Sequence, residues 1–177
     1  MFATGIENSY PTITGGVRID QMDKCGHYAR WREDLDLVRR MGIKFLRWGP
    51  PLHKTFLGPG KYEWSWCDEV IDTMIGLDII PIMDLCHFGV PDWLGNFQNE
   101  EFPRFFEEYA SAVAQRYPHT QYWTPVNEIL ITALFSAKYG WWNEMLTTDE
   151  SFVRATLNLS KANLFAMQAI LKHAPNS

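Results

Sequence analysis

Tyr122-Trp123-Thr124-Pro125-Val126-Asn127-Glu128 is the stretch that most constrains the fold, because a short β-prone run ends in an amide and a carboxylate. In a parallel α/β fold, polar groups at the carboxyl end of a buried strand face the ligand crevice. Asn127 and Glu128 are therefore the first candidate site residues. Taken alone, the pair would more often simply begin a loop, since Asn and Glu are common where strands stop.

The rest of the chain repeats this arrangement of a strand followed by a helix. Strands are predicted at residues 2–8, 44–48, 79–85 and 122–128, and their starts lie 42, 35 and 43 residues apart. Apolar residues at helical spacing predict helices between and after them. In the first helix they are Trp31, Leu35, Val38 and Met41, and in the last they are Val153, Leu157, Leu164, Phe165 and Leu171. This alternation predicts an α/β protein built of right-handed parallel βα units.

Two helix starts carry sequences that resemble capping boxes. Ser65 is followed by Asp68, and Thr147 is followed by Glu150, each with the three-residue spacing of that motif. Both helices are therefore predicted to begin close to these hydroxyl residues.

Two architectures fit four βα units. One is an open doubly wound sheet, and the other is part of a (β/α)₈ barrel of the TIM type, which needs about 250 residues when complete. No glycine-rich phosphate fingerprint follows the first strand, which weakens a dinucleotide-binding interpretation. We therefore predict a single domain over residues 1–177, with about four of the eight units, that is, a half-barrel.

Composition and charge exclude several classes of partner. The net charge is −5 and lysines and arginines do not cluster, so neither nucleic acid nor an anionic membrane is an expected partner. No apolar run is long enough to span a bilayer, and the N-terminus lacks a signal-peptide pattern. The three cysteines, Cys25, Cys67 and Cys86, are too widely spaced for a thiolate zinc site or a disulfide framework. A reducing, cytoplasmic location is expected.

The ends of the four predicted strands carry a mixed set of polar and aromatic residues: Glu7, Asn8, Arg47, Trp48, Asp84, His87, Phe88, Asn127 and Glu128. Alone, His87 would more often be a structural histidine and Arg47 a salt-bridge partner. Together, such residues suit a polyhydroxylated ligand, with hydrogen bonds for hydroxyls and aromatic faces for C–H groups. We expect a sugar ligand. No cofactor is expected, and a metal is disfavoured because no chelating histidine pair is present.

Three stretches resemble one enzyme family. They are YARWREDLDLVRRMGIKFLRW at residues 28–48, DLCHFGVPDWL at 84–94, and FFEEYASAVAQRYPHTQYWTPVNE at 105–128. The chain resembles the N-terminal half of the family 1 glycoside hydrolases, the β-glucosidase-like group of retaining (β/α)₈ enzymes.

The resemblance implies a role for each matched residue. Glu128 would be the general acid/base, and Asn127 would bind the 2-hydroxyl of the sugar. His87 would bind further hydroxyls, Arg47 would orient the nucleophilic carboxylate, and Phe88 stands where the family usually has tryptophan. The nucleophile itself would follow strand seven, beyond residue 177. Desolvation by aromatic walls would favour the neutral acid that Glu128 needs to be.

The chain also departs from the family pattern, which leaves substrate and activity open. Asn-Glu-Pro becomes Asn127-Glu128-Ile129, and Tyr10-Pro11 stands where the family has a sugar-binding glutamine after strand one. One interpretation is a glycosidase half, completed by a C-terminal continuation or by a second copy in a homodimer, which would cover its edge strands. The alternative is a non-catalytic carbohydrate-binding or interaction module. A sugar-phosphate isomerase or aldolase is weaker, because no lysine ends a predicted strand.

Overall fold

The computed structural model describes residues 2–175 and 177. A four-stranded parallel sheet forms its centre, with strands β1 (Ala3–Gly5), β2 (Phe45–Trp48), β3 (Ile80–Cys86) and β4 (Tyr122–Val126). The strands lie side by side in chain order. A doubly wound sheet reverses its strand order at a switch point, and these four strands contain no such reversal. The sheet is therefore part of an α/β barrel, as the sequence predicts.

Five main helices accompany the sheet: α1 (His27–Arg40), α2 (Ser65–Gly76), α3 (Phe102–Arg116), α4 (Ile129–Ala137) and α5 (Asp149–His173). The loops contain two short helices, Gln21–Lys24 and Leu52–Thr55, and one 3₁₀ turn, Asp92–Leu94. They also contain two small antiparallel ladders, Thr12–Ile13 with Val17–Arg18 and Phe56–Gly58 with Lys61–Tyr62. Within the described part of the chain, no helix combines the length and the apolar character needed to cross a membrane.

The two faces of the sheet differ in how well they are covered. Successive side chains of a strand alternate between the two faces of the sheet. In β2, Leu46 and Trp48 lie on the helical side and are fully buried. Phe45 and Arg47 point to the opposite side, where the Phe45 ring packs edge-on against Tyr122 at 5.7 Å between centroids. On that side Ile80 and Tyr122 remain 37% and 39% exposed. The face that would line the barrel interior is therefore only partly covered.

Three predictions about the ends of helices are wrong. Met41 is 71% exposed instead of buried, because α1 ends at Arg40 and Gly42 then turns the backbone with a φ of 71°. Ser65 does not cap α2, since its hydroxyl donates to Glu63 Oε1 at 2.6 Å. The cap of α5 is Thr148, one residue later than predicted, and its hydroxyl accepts from the Ser151 amide at 3.1 Å.

Helix α5 buries small residues and exposes large ones. Its inner face presents Ala155, Ala162, Ala166 and Ala169, all buried, and the helix packs against α3, in which Ala110 and Ala114 are also buried. Small side chains allow two helices to approach closely. The larger apolar residues are about half exposed, and we call them the leucine stripe: Val153, Leu157, Leu164, Met167 and Leu171.

A buried histidine makes the stability of this fold sensitive to pH. The His27 side chain is inaccessible to solvent, its Nδ1 lies 2.6 Å from Asp34 Oδ2, and its Nε2 accepts from Trp48 Nε1 at 3.1 Å. Burial lowers the pKa of His27 although Asp34 opposes the shift. The neutral ring therefore contributes stability that is present above pH 6.5, the ordinary value, and is lost as pH falls through the lower pKa of the folded state.

We expect the free energy of unfolding to fall by up to about 1.4 kcal/mol per pH unit below pH 6.5 because of His27. Urea unfolding at pH 7.5, 6.5 and 5.5, followed by tryptophan fluorescence, measures this slope. His27→Gln should be less stable at pH 7.5 and show a flatter pH dependence. His119→Gln, which changes an exposed histidine, should retain the original slope. Equal slopes in His27→Gln and the unchanged chain would contradict the assignment.

Candidate active site

The ends of the first three strands are held together by a contact that only glycine permits. Gly49 follows β2, and a Cβ atom on it would lie 1.6 Å from the carbonyl oxygen of Asp84 in β3. Asn8, which follows β1, bridges the same point, because its Nδ2 donates to Asp84 O at 3.0 Å and to Pro50 O at 3.3 Å. This close approach brings the carboxyl ends of β1, β2 and β3 to one rim.

Four side chains at this rim form a closed cycle, which we call the polar ring: Arg47, Asp84, His87 and Asn127. Arg47 Nη2 lies 2.8 Å from Asp84 Oδ2 and 2.6 Å from Asn127 Oδ1. His87 Nδ1 lies 2.7 Å from the same Asp84 oxygen, and His87 Nε2 lies 3.1 Å from Asn127 Nδ2. The ring therefore joins the ends of β2, β3 and β4.

The polar ring lies at the boundary between the core and solvent. The Asp84 side chain is 2% exposed, whereas that of Arg47 is 32% exposed. Glu7, after β1, extends the cluster outward, since its Oε1 lies 3.6 Å from His87 Nε2 and its side chain is 49% exposed. A ligand arriving from solvent would therefore meet carboxylate, imidazole, amide and guanidinium groups together, a combination suited to hydroxyl recognition.

An aromatic surface stands beside the ring. Phe88 follows His87 and meets its imidazole edge-on at 4.6 Å between centroids, and the Phe88 ring lies 4.9 Å from Trp142. Phe88 has a φ of 62°, in the left-handed region that non-glycine residues seldom adopt. Asn143 supports this conformation, because its Nδ2 donates to Phe88 O at 3.0 Å.

The loop containing Phe88 is tied to the segment after β1. A Cβ on Gly89 would lie 2.0 Å from Tyr10 O, and the Tyr10 amide donates to His87 O at 3.3 Å. Asn143 also pairs with Thr12, through Asn143 N to Thr12 O at 2.8 Å and Thr12 N to Asn143 Oδ1 at 3.2 Å. Loops after three different strands therefore support the aromatic surface.

Glu128 occupies the turn between β4 and α4. Its backbone has φ 43° and ψ 62°, in the left-handed region. The chain passes here from Asn127, which is buried, to Glu128, which is exposed. The main-chain amide of Asn127 continues the sheet by donating to Cys86 O at 2.9 Å, and Thr132 Oγ1 donates to the main-chain oxygen of Asn127 at 3.1 Å. Glu128 is exposed, so the described residues do not form the desolvating aromatic walls expected around it.

The structure thus places every predicted site residue at one rim. Arg47, His87 and Asn127 are linked directly, Phe88 borders His87, and Glu128 follows Asn127. Asp84 was among the strand-end residues but was not selected as a site residue, although it contacts two of them. Its signal in the sequence was an acidic residue within an otherwise apolar strand. Trp142 and Asn143 were also missed, and the run of aromatic residues at 139–142 was their signal.

Another carboxyl group, that of Glu144, lies outside this cluster. Burial raises the pKa of Glu144, against the opposing effect of the hydrogen bond from Gln98 Nε2 to Glu144 Oε1 at 3.1 Å. Perturbed carboxyl groups are frequent in active sites but also occur in structural networks. Gln98 Nε2 also donates to Ser151 O at 2.9 Å at the start of α5, so this carboxyl belongs to a contact between loop and helix.

Comparison with known proteins agrees with this geometry. The family model for glycosyl hydrolase family 1 matches residues 11–177. Beta-glucosidase A of Thermotoga maritima is 26% identical over 152 residues, which cover 81% of this chain and 34% of that protein. An aryl-phospho-beta-D-glucosidase of Bacillus subtilis is 32% identical over 112 residues, covering 58% of this chain and 23% of the relative.

Solved structures show the same fold. The beta-glucosidase from Thermotoga maritima in complex with glucoimidazole superposes with a TM-score of 0.81 at 22% identity, covering 94% of this chain and 39% of that one. A complex of the same enzyme with deoxynojirimycin gives the same values. The chain spans less than two fifths of the length of these relatives. With a family model that matches nearly all of its residues, the chain belongs to glycosyl hydrolase family 1.

Proposed function

We propose that this chain forms the acid/base half of a retaining β-glycosidase. Glu128 is the general acid/base, and Asn127, His87, Arg47 and Phe88 bind the sugar. The observation that carries this proposal is the polar ring, which joins Arg47, His87 and Asn127 at the strand ends, and Glu128 is the next residue of the chain after Asn127. The family supports an O-glycosidic substrate.

The proposed reaction uses Glu128 twice. Its carboxylic acid first donates a proton to the glycosidic oxygen while a second carboxylate attacks the anomeric carbon. The bond between that carbon and the glycosidic oxygen breaks, the aglycone leaves as an alcohol, and a glycosyl-enzyme intermediate forms. The Glu128 carboxylate then removes a proton from water, which attacks the same carbon and releases the sugar with its configuration retained. This chemistry requires two carboxyl groups about 5 to 5.5 Å apart. The second group is proposed to come from the remaining barrel units.

Two incompletely covered surfaces support completion by a second half. The leucine stripe runs along the outer side of α5, and the interior face of the sheet leaves Ile80 and Tyr122 more than a third exposed. Strand β4 is also the last strand of the sheet, so it offers one unpaired edge. A further set of βα units, as a continuation of the chain or a partner copy, would cover all three features.

The leucine stripe makes a testable prediction about association. We expect residues 1–177 alone to self-associate at micromolar concentration, because the stripe would exclude water between two chains. Replacing Leu157 and Leu164 together by glutamate should weaken association by about 2 kcal/mol, roughly thirtyfold. Sedimentation velocity measures the change. Leu57→Glu, at a 54% exposed position on a separate ladder, is the control. A folded monomer from the unchanged chain would contradict the proposal.

A non-catalytic carbohydrate-binding module is the second candidate. It is favoured by the exposure of Glu128, because an acid catalyst is usually held in a less solvated place. In that case the polar ring would bind sugar hydroxyls, and no glycosidic bond would be broken.

One experiment separates these candidates. The full product of the natural gene is incubated with an aryl β-glucoside, and proton NMR identifies the anomer of the first sugar released. A retaining glycosidase releases the β anomer first, whereas an α product would exclude the double displacement. Binding of glucoimidazole by calorimetry without any turnover would support the binding module instead.

A further inference from the structure

The hydrogen-bond directions in the polar ring determine the protonation of His87. The Arg47 guanidinium has only donors, so the Asn127 amide must turn its oxygen toward it. The Asn127 amide nitrogen then faces His87 Nε2 and donates to it at 3.1 Å. Nε2 must therefore be unprotonated, and the ring proton lies on Nδ1, where it is donated to Asp84 at 2.7 Å.

We propose that Asp84 is a positioning residue of the sugar site, which holds His87 in its Nδ1–H tautomer. Through this tautomer the imidazole presents Nε2 as a hydrogen-bond acceptor toward the rim. The proposal deepens the function proposed above and rests on it. Histidines that bind metals are oriented by carboxylates in the same way, and loss of such a partner typically costs 10- to 100-fold in affinity or activity.

Asp84 is placed to act on both sides of the ring. One oxygen, Oδ2, contacts Arg47 and His87 together, so a single carboxylate sets the position of the guanidinium and the tautomer of the imidazole. Asp84 is almost fully buried, and its main chain is fixed by the contact with Gly49 and the hydrogen bond from Asn8. A side chain on such a rigid base has little freedom to turn away.

The tautomer also defines which ligand group the site can accept. Nε2 has one lone pair, so a sugar hydroxyl that binds there must donate its proton and replace the Asn127 amide. The displaced amide nitrogen is then free to donate to a neighbouring sugar oxygen. Glu7 Oε1, 3.6 Å from Nε2, adds a second acceptor at the same place. His87 Nε2 therefore accepts from a free sugar hydroxyl and has no proton to donate to a phosphate or carboxylate oxygen.

Nitrogen-15 NMR of the histidine side chains tests the tautomer directly. In the unchanged chain we expect His87 with a proton on Nδ1 and none on Nε2. Asp84→Ala should shift the population toward the Nε2–H tautomer. Asp34→Ala is the matched control, because Asp34 contacts Nδ1 of His27 at 2.6 Å outside the site, and it should leave the His87 tautomer unchanged.

Affinity provides the second readout. In the full gene product, Asp84→Ala should weaken glucoimidazole binding at least about tenfold, and Asp34→Ala should not. If Asp84→Ala fails to fold, the isosteric Asp84→Asn variant is measured instead. For that variant we expect a mixture of the two His87 tautomers and a smaller loss of glucoimidazole affinity. An unchanged His87 tautomer in the folded Asp84 variants would overturn the proposal. If the unmodified gene product fails to bind glucoimidazole, the proposed function fails instead, while the tautomer measurement stands.

Discussion

Glu128→Gln should reduce kcat/KM of the full gene product on aryl β-glucosides by about 10²- to 10⁴-fold, the usual contribution of a general acid or base. Glutamine keeps the shape of the side chain but can neither donate a proton to the leaving oxygen nor accept one from water. Substrates with poor leaving groups depend most on protonation, so the loss should be larger for methyl β-glucoside than for 2,4-dinitrophenyl β-glucoside. Steady-state kinetics on both substrates measures this difference.

Glu144 is the competing candidate for the general acid, and the Glu144→Gln variant tests it in the same assay. Burial raises the pKa of Glu144, so a search by perturbed pKa alone would select this carboxyl as the acid. Its contacts with Gln98, which also bonds Ser151 at the start of α5, indicate a structural role, and we expect near-normal turnover in the variant. Full activity in Glu128→Gln combined with inactive, folded Glu144→Gln would reverse the assignment.

Gly49→Ala should destabilise the fold by more than about 4 kcal/mol, at the extreme end of single substitutions. The new methyl group would lie 1.6 Å from Asp84 O and 2.9 Å from Asn8 Nδ2. The first of these atoms is backbone in a buried strand and cannot move aside cheaply. The carboxyl ends of β2 and β3 would have to separate, and the polar ring would open with them. Urea unfolding of the purified variant, or its failure to fold, measures the effect.

Gly76→Ala is the matched control for this prediction. Gly76 lies at the end of α2, and a Cβ there would meet no atom within 4 Å. Alanine is the better helix former, so the substitution should stabilise the protein by about 0.5 to 1 kcal/mol. Equal stabilities for the two variants would show that the close approach at Gly49 is not required.

Much of the fold could be predicted from the pattern of apolar residues in the sequence. Strands were predicted at residues 44–48, 79–85 and 122–128, because apolar runs there end in residues that stop a ladder. The structure has them at 45–48, 80–86 and 122–126. The partial α/β barrel is confirmed by the strand order and by the similar structures. The cap of α5 was predicted one residue too early, because Thr147 and Thr148 are adjacent hydroxyl residues and only the folded backbone decides which of them accepts the Ser151 amide.

Helix α5 shows what the sequence could not decide. Its largest apolar residues, including Leu157 and Leu164, formed the clearest helical pattern, yet the folded chain buries the alanines on another side. Periodicity reveals that a face is apolar but not which surface covers it. Helix α5 packs against α3 and α4, whereas the leucine stripe stays about half exposed in the part of the chain that the structure describes.

The candidate site was predictable in its members but not in its connections. Arg47, His87 and Asn127 could be selected because each ends a strand or follows one. Asp84 lies within β3, and only the register between β2 and β3 places its carboxylate against Arg47. Contacts between strands depend on register, and a one-residue shift moves every side chain of a strand to the other face, so the pattern within one strand does not reveal them. The cyclic arrangement of the polar ring is therefore a property of the folded sheet and not of any one strand.

The alanine face and the leucine stripe divide α5 between two tasks. Residues such as Ala162 and Ala166 lie on the buried side of α5, whereas Leu157 and Leu164 lie on the opposite side and are about half exposed. Mutations on the outer side can therefore accumulate without disturbing the inner one. Such separation lets natural variation, or an engineer, exchange whatever docks on the outer side and so recombine this module with different companions.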